Sequence, residues 1–347
     1  MPEILNLSGP LHPQIRPDWL GLNKEEPLEP DLPIIDAHHH LWNRPGNVYR
    51  FGEYLEDISS GHNIVATIYV QARSGYWEHG PEILKPAGEI DFAMDMAKQA
   101  SSAAGNKTAL CAAIIGGADL MQGENVAPAL ERMVDLSEGR LRGIRNQTAW
   151  HADPNIRSSP FPTSPGMVAS EAFRLGAKAL NRFGLSLDVW AYQTQLIEVE
   201  SLARFLPGLR IIINHAGGPL GIGLYRENRK AAFDQWKTDL QNLAKLPNVH
   251  VKLSGLGMRA NGFEHDALER PPTSVYLADC IRPYVETAIE IFGPNRCMFE
   301  SNFPVDKGMY SYCTLWNAFK RICENYSNSD KSFLFHDASH QIYLRKN

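Results

Sequence analysis

Cysteine is scarce in this chain and follows no motif. Only five cysteines occur in 347 residues, and no two of them form a C-x-x-C pair. An odd number of widely separated cysteines without C-x-x-C pairs indicates neither a disulfide framework nor a zinc ribbon. We therefore predict reduced, mostly buried thiols and a cytoplasmic protein.

Long runs of one chemical character are also missing. No cluster of Lys and Arg occurs, and the net charge is −5, so the composition argues against a nucleic-acid partner. No segment approaches the roughly 18 consecutive apolar residues of a membrane span. The opening MPEILNLSGPLHPQIRPDW lacks a cationic start followed by an apolar stretch, so we expect no signal peptide. The expected partner is a small molecule, and homo-oligomerisation stays open.

What the chain does contain is enough apolar sequence for a large core, with 44% hydrophobic and 21% charged residues. From residue 33 onward, short β-branched runs alternate with longer helical segments, which is typical of βαβ units. Residues 1–32 are rich in Pro and charge and show no period. We predict an N-terminal extension over 1–32 that lies across a single domain of residues 33–347.

The alternation contains eight strand candidates: 33–40, 63–72, 108–117, 141–147, 185–191, 209–218, 248–255 and 296–304. The helix candidates are 89–104, 124–137, 168–183, 195–206, 229–246, 276–292, 311–325 and a last piece, 330–345, expected to close the bottom of the fold or pack outside it. Eight units favour closure into a (β/α)8 TIM barrel. The alternative, an open doubly wound sheet, would need a Gly-rich phosphate turn after the first strand, where this chain has HHHLWN.

Three connections between these elements show no clear helical period. Residues 41–62 are expected to form an irregular loop. Segments 148–167 and 257–275 are long, and loops of that size in a compact domain are usually functional or disordered. Both follow a predicted barrel strand, which places them at the C-terminal face of the barrel, where active sites are built.

The first strand ends in Asp36-Ala-His-His-His. Alternate side chains of a strand share a face, so we predict that Asp36, His38 and His40 point the same way. A His-x-His pair can supply two imidazole nitrogens to one metal ion at ~2.0–2.1 Å each. The alternative is that these polar residues only cap the strand end.

A third histidine, His215, follows an apolar run in IIINHAGGP and marks a strand that opens into a turn. It could instead be a core histidine that bonds to a neighbour. We predict one divalent metal ion on His38, His40 and His215, with zinc favoured because the ligands are mainly nitrogen. The competing hypothesis is that the histidines bind substrate oxygens and no metal is needed.

The last strand candidate contains CMFESNFPVDK. Glu300 and Asn302 share one face by the two-residue period, and Ser301 faces the other way. A carboxylate that points into a barrel mouth can act as a general base or a metal ligand. The alternative for Glu300 is an ion pair with Arg145 or Lys252.

Cations stand at three strand ends: Arg73, Arg145 and Lys252. An inward cation must be paired or must face a ligand, so their convergence suggests an anionic substrate whose carboxylate an Arg grips with two parallel bonds. The remaining candidates for substrate contact at this end are Gln71, Asp188, Trp190 and Tyr192.

Taken together, DAHHHLW, GIRN, INHAGGP, VKLSGLG and CMFESNFPVDK resemble the amidohydrolase-related family that includes sugar-acid and pyrone-dicarboxylate lactonases. The resemblance runs from about residue 33 to the terminal DASHQIYLR. It implies a distorted TIM barrel and water attack on a carbonyl, usually that of a lactone. It also implies that His38 and His40 are the first-strand pair, His215 the sixth-strand histidine, Arg145 a carboxylate-binding arginine and Lys252 the seventh-strand lysine.

The chain departs from this family at the eighth strand, where the lactonases resemble FGSDWP. Asn302 stands where their aspartate activates water, and Glu300 stands where they have glycine. Because an amide cannot take a proton at neutral pH, we expect Glu300 to be the base, with His215 and Lys252 stabilising the oxyanion. The predicted function is hydrolysis of a small, carboxylated lactone or related cyclic ester. The alternatives are a metal-dependent decarboxylase and a non-catalytic ligand-binding barrel.

Overall fold

Eight parallel strands form the central sheet of the protein. The computed structural model describes residues 12–157 and 163–345. Each strand pairs with the next along the chain, and the strands are β1 Pro33–His39, β2 Asn63–Val70, β3 Ala109–Gly117, β4 Leu141–Gln147, β5 Ser186–Trp190, β6 Ile211–Ile213, β7 Val249–Lys252 and β8 Cys297–Met298. Backbone bonds join the first and last strands, from Ala37 N to Phe299 O (3.3 Å) and from His40 N to Phe303 O (2.8 Å). The sheet is therefore closed, and the predicted (β/α)8 barrel is confirmed.

Helices surround this barrel, and most of them fall close to the predicted segments; the short helices Pro17–Leu20, Phe51–Ile58 and Leu224–Glu227 were not predicted. The helices are α1 Pro17–Leu20, α2 Phe51–Ile58, α3 Gly88–Ser102, α4 Ala127–Leu136, α5 Glu171–Arg182, α6 Leu196–Phe205, α7 Leu224–Glu227, α8 Arg229–Ala244, α9 Ser274–Phe292, α10 Tyr312–Ile322 and α11 Asn328–Ser332. Two π-helical turns, Phe333–Asp337 and His340–Leu344, follow the last helix. None of the helices in the described ranges is both long and apolar enough to cross a membrane.

Two hydrophobic clusters divide the core. The outer one lies between the strands and the helices. The inner one fills the barrel with alternate residues of β1, β2 and β3, with Ile212 and Met298, and with Ala338 and Tyr343 from the C-terminal turns. The final segment thus reaches into the barrel from below, which agrees with the expectation that it closes the bottom.

The prediction of an irregular loop over 41–62 is wrong. Trp42–Arg44 pairs antiparallel with Asn47–Tyr49, and α2 follows directly. Strands of three residues are too short to show a period in the sequence. The sequence of α2 does contain an indication of a helix. Tyr54 and Ile58 stand four residues apart, so they share one helix face, and both are buried.

The described part of the N-terminal region lies against the loop after β7 and against α10. Arg16 Nη2 donates to Asp266 O (2.6 Å), and Trp19 Nε1 donates to Leu268 O (3.1 Å). Lys320 Nζ on α10 donates to the carbonyl of Leu28 at 2.7 Å. The boundary at residue 32 stays a prediction, and residues 1–11 lie outside the described range.

The two long loops follow β4 and β7, as predicted. Segment 148–167 leads to α5, and its residues 158–162 lie outside the described ranges. Segment 257–275 contains two 3-10 turns, Arg259–Asn261 and His265–Ala267, and it runs into the first turn of α9.

All five cysteines are free thiols.

Candidate active site

A register shift in β1 decides which of its polar residues face the barrel interior. The pairing of β1 with β2 shifts after Asp36. The Asp36 carboxylate accepts bonds from the hydroxyls of Tyr54 in α2 (2.7 Å) and Tyr312 in α10 (3.0 Å), so it faces the helix layer. His38 and His40 face one another, with their Nε2 atoms 3.1 Å apart. The prediction that Asp36 shares their face is therefore wrong, because the shift breaks the two-residue alternation.

Glu300 lies between two histidines at the C-terminal end of the barrel. Its Oε1 is 2.8 Å from His215 Nδ1, and its Oε2 is 2.8 Å from His38 Nδ1. The contact between Glu300 Oε2 and His38 Nδ1 is short, but its angles do not suit a hydrogen bond. Neither atom therefore has a hydrogen-bond partner among the described residues. The partners of Glu300 are thus histidines rather than Arg145 or Lys252. Ser301 faces the opposite way, as predicted.

Arg145 of β4 stands beside this cluster. Its Nη1 is 3.2 Å from His38 Nε2, and its Nε and Nη2 bond to Gln71. Gln71 accepts from Nε and from both N–H bonds of Nη2, so Nη1 is the group of this guanidinium that faces the histidines. Burial lowers the pKa of Arg145 to about 10, so the side chain stays cationic at neutral pH.

Lys252 of β7 forms a buried ion pair with Asp188 of β5, with Nζ 2.7 Å from Oδ2. Asn214 Nδ2 (2.9 Å) and the hydroxyl of Tyr343 (3.0 Å) also donate to the Asp188 carboxylate. Tyr343 of the C-terminal segment therefore stabilises the Asp188 carboxylate of this ion pair from inside the barrel. The predicted oxyanion role of Lys252 and substrate contact of Asp188 stay predictions.

The first-strand histidines are held neutral. The pKa of His38 lies well below its usual value, chiefly because of burial and then because of the positive charge of Lys252. Burial likewise lowers the pKa of His40, with Arg145 adding to the effect. His40 Nδ1 lies 2.8 Å from Val70 O, to which only a protonated nitrogen can donate, so the lone pair is on Nε2.

The other predicted substrate contacts are spread around the mouth. The rings of Trp190 and His215 pack edge to face, with their centroids 4.9 Å apart. The hydroxyl of Tyr192 donates to Ile156 O (3.0 Å) and so supports the loop after β4. Arg73 is at the exposed rim, where its guanidinium lies 5.9 Å from the ring centre of Tyr76.

One of the buried carboxylates that sequence reasoning missed at this end is Asp306. Asp306 is fully buried and accepts bonds from Asn302 Nδ2 (3.0 Å), Tyr310 OH (2.8 Å) and Gly257 N (3.2 Å). Strand β8 ends at Met298 and Asn302 has φ +56°, so the alternation used for Glu300 does not extend to Asn302. The four-residue spacing of Asn302 and Asp306 was the only signal, and it is a weak one.

Glu89, at the start of α3, was also missed. Its Oε1 accepts bonds from the backbone N–H groups of Ala72 (2.6 Å) and Ser74 (3.0 Å), so it holds the turn that presents Gln71 and Arg73. No periodic pattern in the sequence marks this role.

The residues of this site fit a single divalent metal ion. Among the described residues, His38, His215 and Glu300 offer ligand atoms that all lie within 4.8 Å of one another. The sequence analysis predicted His38, His40 and His215 as the ligands, whereas this group contains Glu300 in place of His40. His38 Nδ1 and Glu300 Oε2 are buried without aligned partners, and imidazole nitrogen and carboxylate oxygen are ligands that zinc takes in proteins.

A closed (β/α)8 barrel with histidines, a carboxylate and two cations at the C-terminal ends of its strands defines a TIM-barrel enzyme. The family profile described as amidohydrolase matches residues 35–345. The chain therefore belongs to the amidohydrolase family and is a hydrolase.

Two relatives and one solved structure extend this comparison. An uncharacterised protein of Sinorhizobium fredii is 32% identical over 90% of this chain and 99% of its own length. A protein named L-fucono-1,5-lactonase from Burkholderia multivorans is 27% identical over 89% of this chain and 95% of its own. The crystal structure of an amidohydrolase from Burkholderia multivorans with bound zinc aligns with a TM-score of 0.69 at 24% identity, covering 90% of this chain and 99% of that one.

Proposed function

We propose that the protein hydrolyses a small lactone or related cyclic ester that carries a carboxylate. The observation that carries this proposal is the position of Glu300 between His38 and His215, with Arg145 beside them. A carboxylate, two imidazoles and a cation meet at one end of the barrel. The relative named L-fucono-1,5-lactonase supports a lactone over a linear ester.

In the proposed reaction, Glu300 Oε2 removes a proton from water while the water oxygen bonds to the lactone carbonyl carbon. The carbonyl π electrons move to oxygen, where His215 and Lys252 stabilise the charge. The ring C–O bond then breaks, and the proton held by Glu300 passes to the leaving oxygen. Arg145 holds the substrate carboxylate throughout. The product is a hydroxy acid whose new carboxylic acid ionises at neutral pH.

A zinc ion would be held by His38 and His215 together with Glu300 or His40. When bound, such an ion polarises a carbonyl or lowers the pKa of its bound water towards ~7. The neutral state of His38 and His40 suits this role, since only an unprotonated imidazole nitrogen can ligate a metal. A weaker site than one completed by a further aspartate is expected, because Asn302 carries no charge.

The test is a panel of sugar-acid and aromatic-derived lactones, assayed for proton release in weak buffer and for carbon dioxide. We expect one proton for each ring opened and no carbon dioxide. Carbon dioxide release would identify the decarboxylase alternative instead. Binding of panel members without turnover, by metal-loaded wild-type protein, would point to a non-catalytic barrel.

A further inference from the structure

Asn302 carries a buried acceptor that no group within residues 12–157 and 163–345 satisfies. The side chain is 1% exposed, its Nδ2 donates to Asp306, and its Oδ1 has no hydrogen-bond partner. Leaving a buried carbonyl oxygen without a donor is unfavourable, and most buried acceptors in native structures are bonded to protein or to ordered water. Glu300 Oε2, two residues earlier, is the other buried acceptor of this segment without an aligned donor.

Backbone contacts place Asn302 beside the reacting groups. Asn302 N donates to His38 O at 2.9 Å, and the ring of His38 contacts Glu300. On the other side, Asp306 accepts a bond from Gly257 N, in the same loop as Gly255, where a β-carbon would lie only 2.4 Å from the His215 ring. The Asn302–Asp306 pair therefore lies between the ends of β8 and β7, next to both histidines.

Asp306 determines which end of the Asn302 amide is free. A carboxylate only accepts hydrogen bonds, so the amide must turn its NH2 group towards Asp306 and its carbonyl oxygen away. Tyr310 and Gly257 both donate to Oδ2 of Asp306, which fixes the carboxylate and leaves Oδ1 for Asn302. Glu300 and Tyr310 are the charged and titratable groups that act on Asp306.

We propose that Asp306 is a positioning residue that holds the Asn302 carbonyl oxygen ready to accept a hydrogen bond from the attacking water. The water then donates one hydrogen to Glu300 Oε2, which removes it, and the other to Asn302 Oδ1, which only orients the molecule. Asn302 would thus orient the attacking water, although its amide cannot act as a base. This inference rests on the proposed lactone hydrolysis.

The test compares steady-state kinetics of wild type and Asp306→Asn at pH 8, with whichever lactone the panel identifies. An amide at 306 no longer dictates the orientation of Asn302, so kcat should fall about 10- to 100-fold, as for misplaced reacting groups. KM should stay within about twofold, because an interaction with water alone does not bind substrate. Tyr310→Phe is the matched control: it removes a bond to the same carboxylate but leaves the Asn302 contact, so its kcat should change much less.

A double-mutant cycle measures the pair itself through urea unfolding. Asn302→Asp places two carboxylates 3.0 Å apart and should lower stability. Adding Asp306→Asn restores a carboxylate–amide bond with its polarity reversed and should recover most of the loss.

Each outcome decides a different claim. A raised KM with unchanged kcat in Asp306→Asn would show that Asn302 binds substrate rather than water, and unchanged kinetics would show that Asp306 positions nothing. Either result overturns the inference and leaves lactone hydrolysis standing. If wild type hydrolyses no member of the panel, the proposed function fails and the water-positioning role fails with it, while the cycle still reports the strength of the bond.

Discussion

Buried carboxylates dominate the chemistry of this site at the scale of single residues. Glu300, Asp188 and Asp306 are all fully buried, yet their surroundings differ. Glu300 meets two histidines, Asp188 meets a lysine and Asp306 meets only neutral donors. A buried carboxylate needs either a partner charge or enough hydrogen bonds, so these three environments assign three different roles.

The first prediction concerns the base. Glu300→Gln keeps the shape of the side chain but cannot take a proton at neutral pH, so turnover should fall by ~10²–10⁴-fold. The measurement is kcat for the lactone that the panel identifies. Glu171→Gln, an exposed position at the start of α5, is the matched control and should retain full activity. Near-normal turnover by Glu300→Gln would remove the assignment of the base.

The second prediction is the pH dependence that Asp306 gives to folding. Burial raises the pKa of Asp306 to about 7, whereas an unfolded aspartate titrates at about 3.9. The folded state therefore holds the proton more tightly. Its stabilising contribution is complete below about pH 4 and is lost as the pH rises through about 7, at up to about 1.4 kcal/mol per pH unit.

Asp306→Asn removes this titration. Wild type should lose stability relative to the variant between pH 4 and 7, as measured by urea unfolding at a series of pH values. Parallel curves for the two proteins would show that the carboxylate titrates no differently in the folded and unfolded states.

At the scale of elements, close backbone contacts decide where a helix tolerates a side chain. Gly176 in α5 packs against Leu120, and a β-carbon there would lie 2.2 Å from the Leu120 carbonyl oxygen. At Gly52 in α2, a β-carbon would have no atom of the described part of the chain within 4 Å. Both are helical glycines, so they form a matched pair in which only the surroundings differ.

The third prediction is that alanine has opposite effects at these two sites. Gly176→Ala forces α5 away from backbone that cannot yield and should lower the free energy of unfolding by about 1–3 kcal/mol. Gly52→Ala reduces the freedom of the unfolded chain and should raise stability by about 0.4–1 kcal/mol. Urea unfolding of both variants checks this, and a stabilising Gly176→Ala would contradict the packing of α5.

At the scale of the whole molecule, a metal ion at this site would act on the barrel as a whole, because the candidate ligands stand on or after different strands. His38 and Glu300 lie at the seam where β1 meets β8, and His215 follows β6. An ion bound to all three links distant parts of the chain. It therefore stabilises the folded state over the unfolded one, where these residues are far apart.

The fourth prediction is that zinc raises the thermal unfolding temperature of protein that has been freed of metal by a strong chelator. At 100 times the dissociation constant, one bound ion adds about 2.7 kcal/mol. His38→Ala should abolish this rise, and His79→Ala, an exposed control, should preserve it. Metal content measured on protein purified without added metal gives an independent answer. Full activity of protein shown to be metal-free would mean that the histidines act as hydrogen-bond donors.

The sequence by itself determined the barrel and most of the residues at its mouth. Eight hydrophobic runs with helices between them can bury their apolar faces together only by closing, and parallel strands bring all their C-terminal ends to one side. His38, His215, Arg145 and Glu300 were predicted from their places at strand ends, and these places required no knowledge of tertiary contacts.

Only the tertiary structure decided how those residues are paired. Because of the register shift in β1, Asp36 faces the helices. Because β8 ends at Met298, the two-residue alternation of a strand does not determine the direction of the Asn302 side chain. Local patterns report which way a regular strand points its side chains, but bulges and strand ends are set by packing between strands. The bond from Asn302 to Asp306 and the ion pair of Lys252 with Asp188 depend on loops and strands that meet only after the barrel closes.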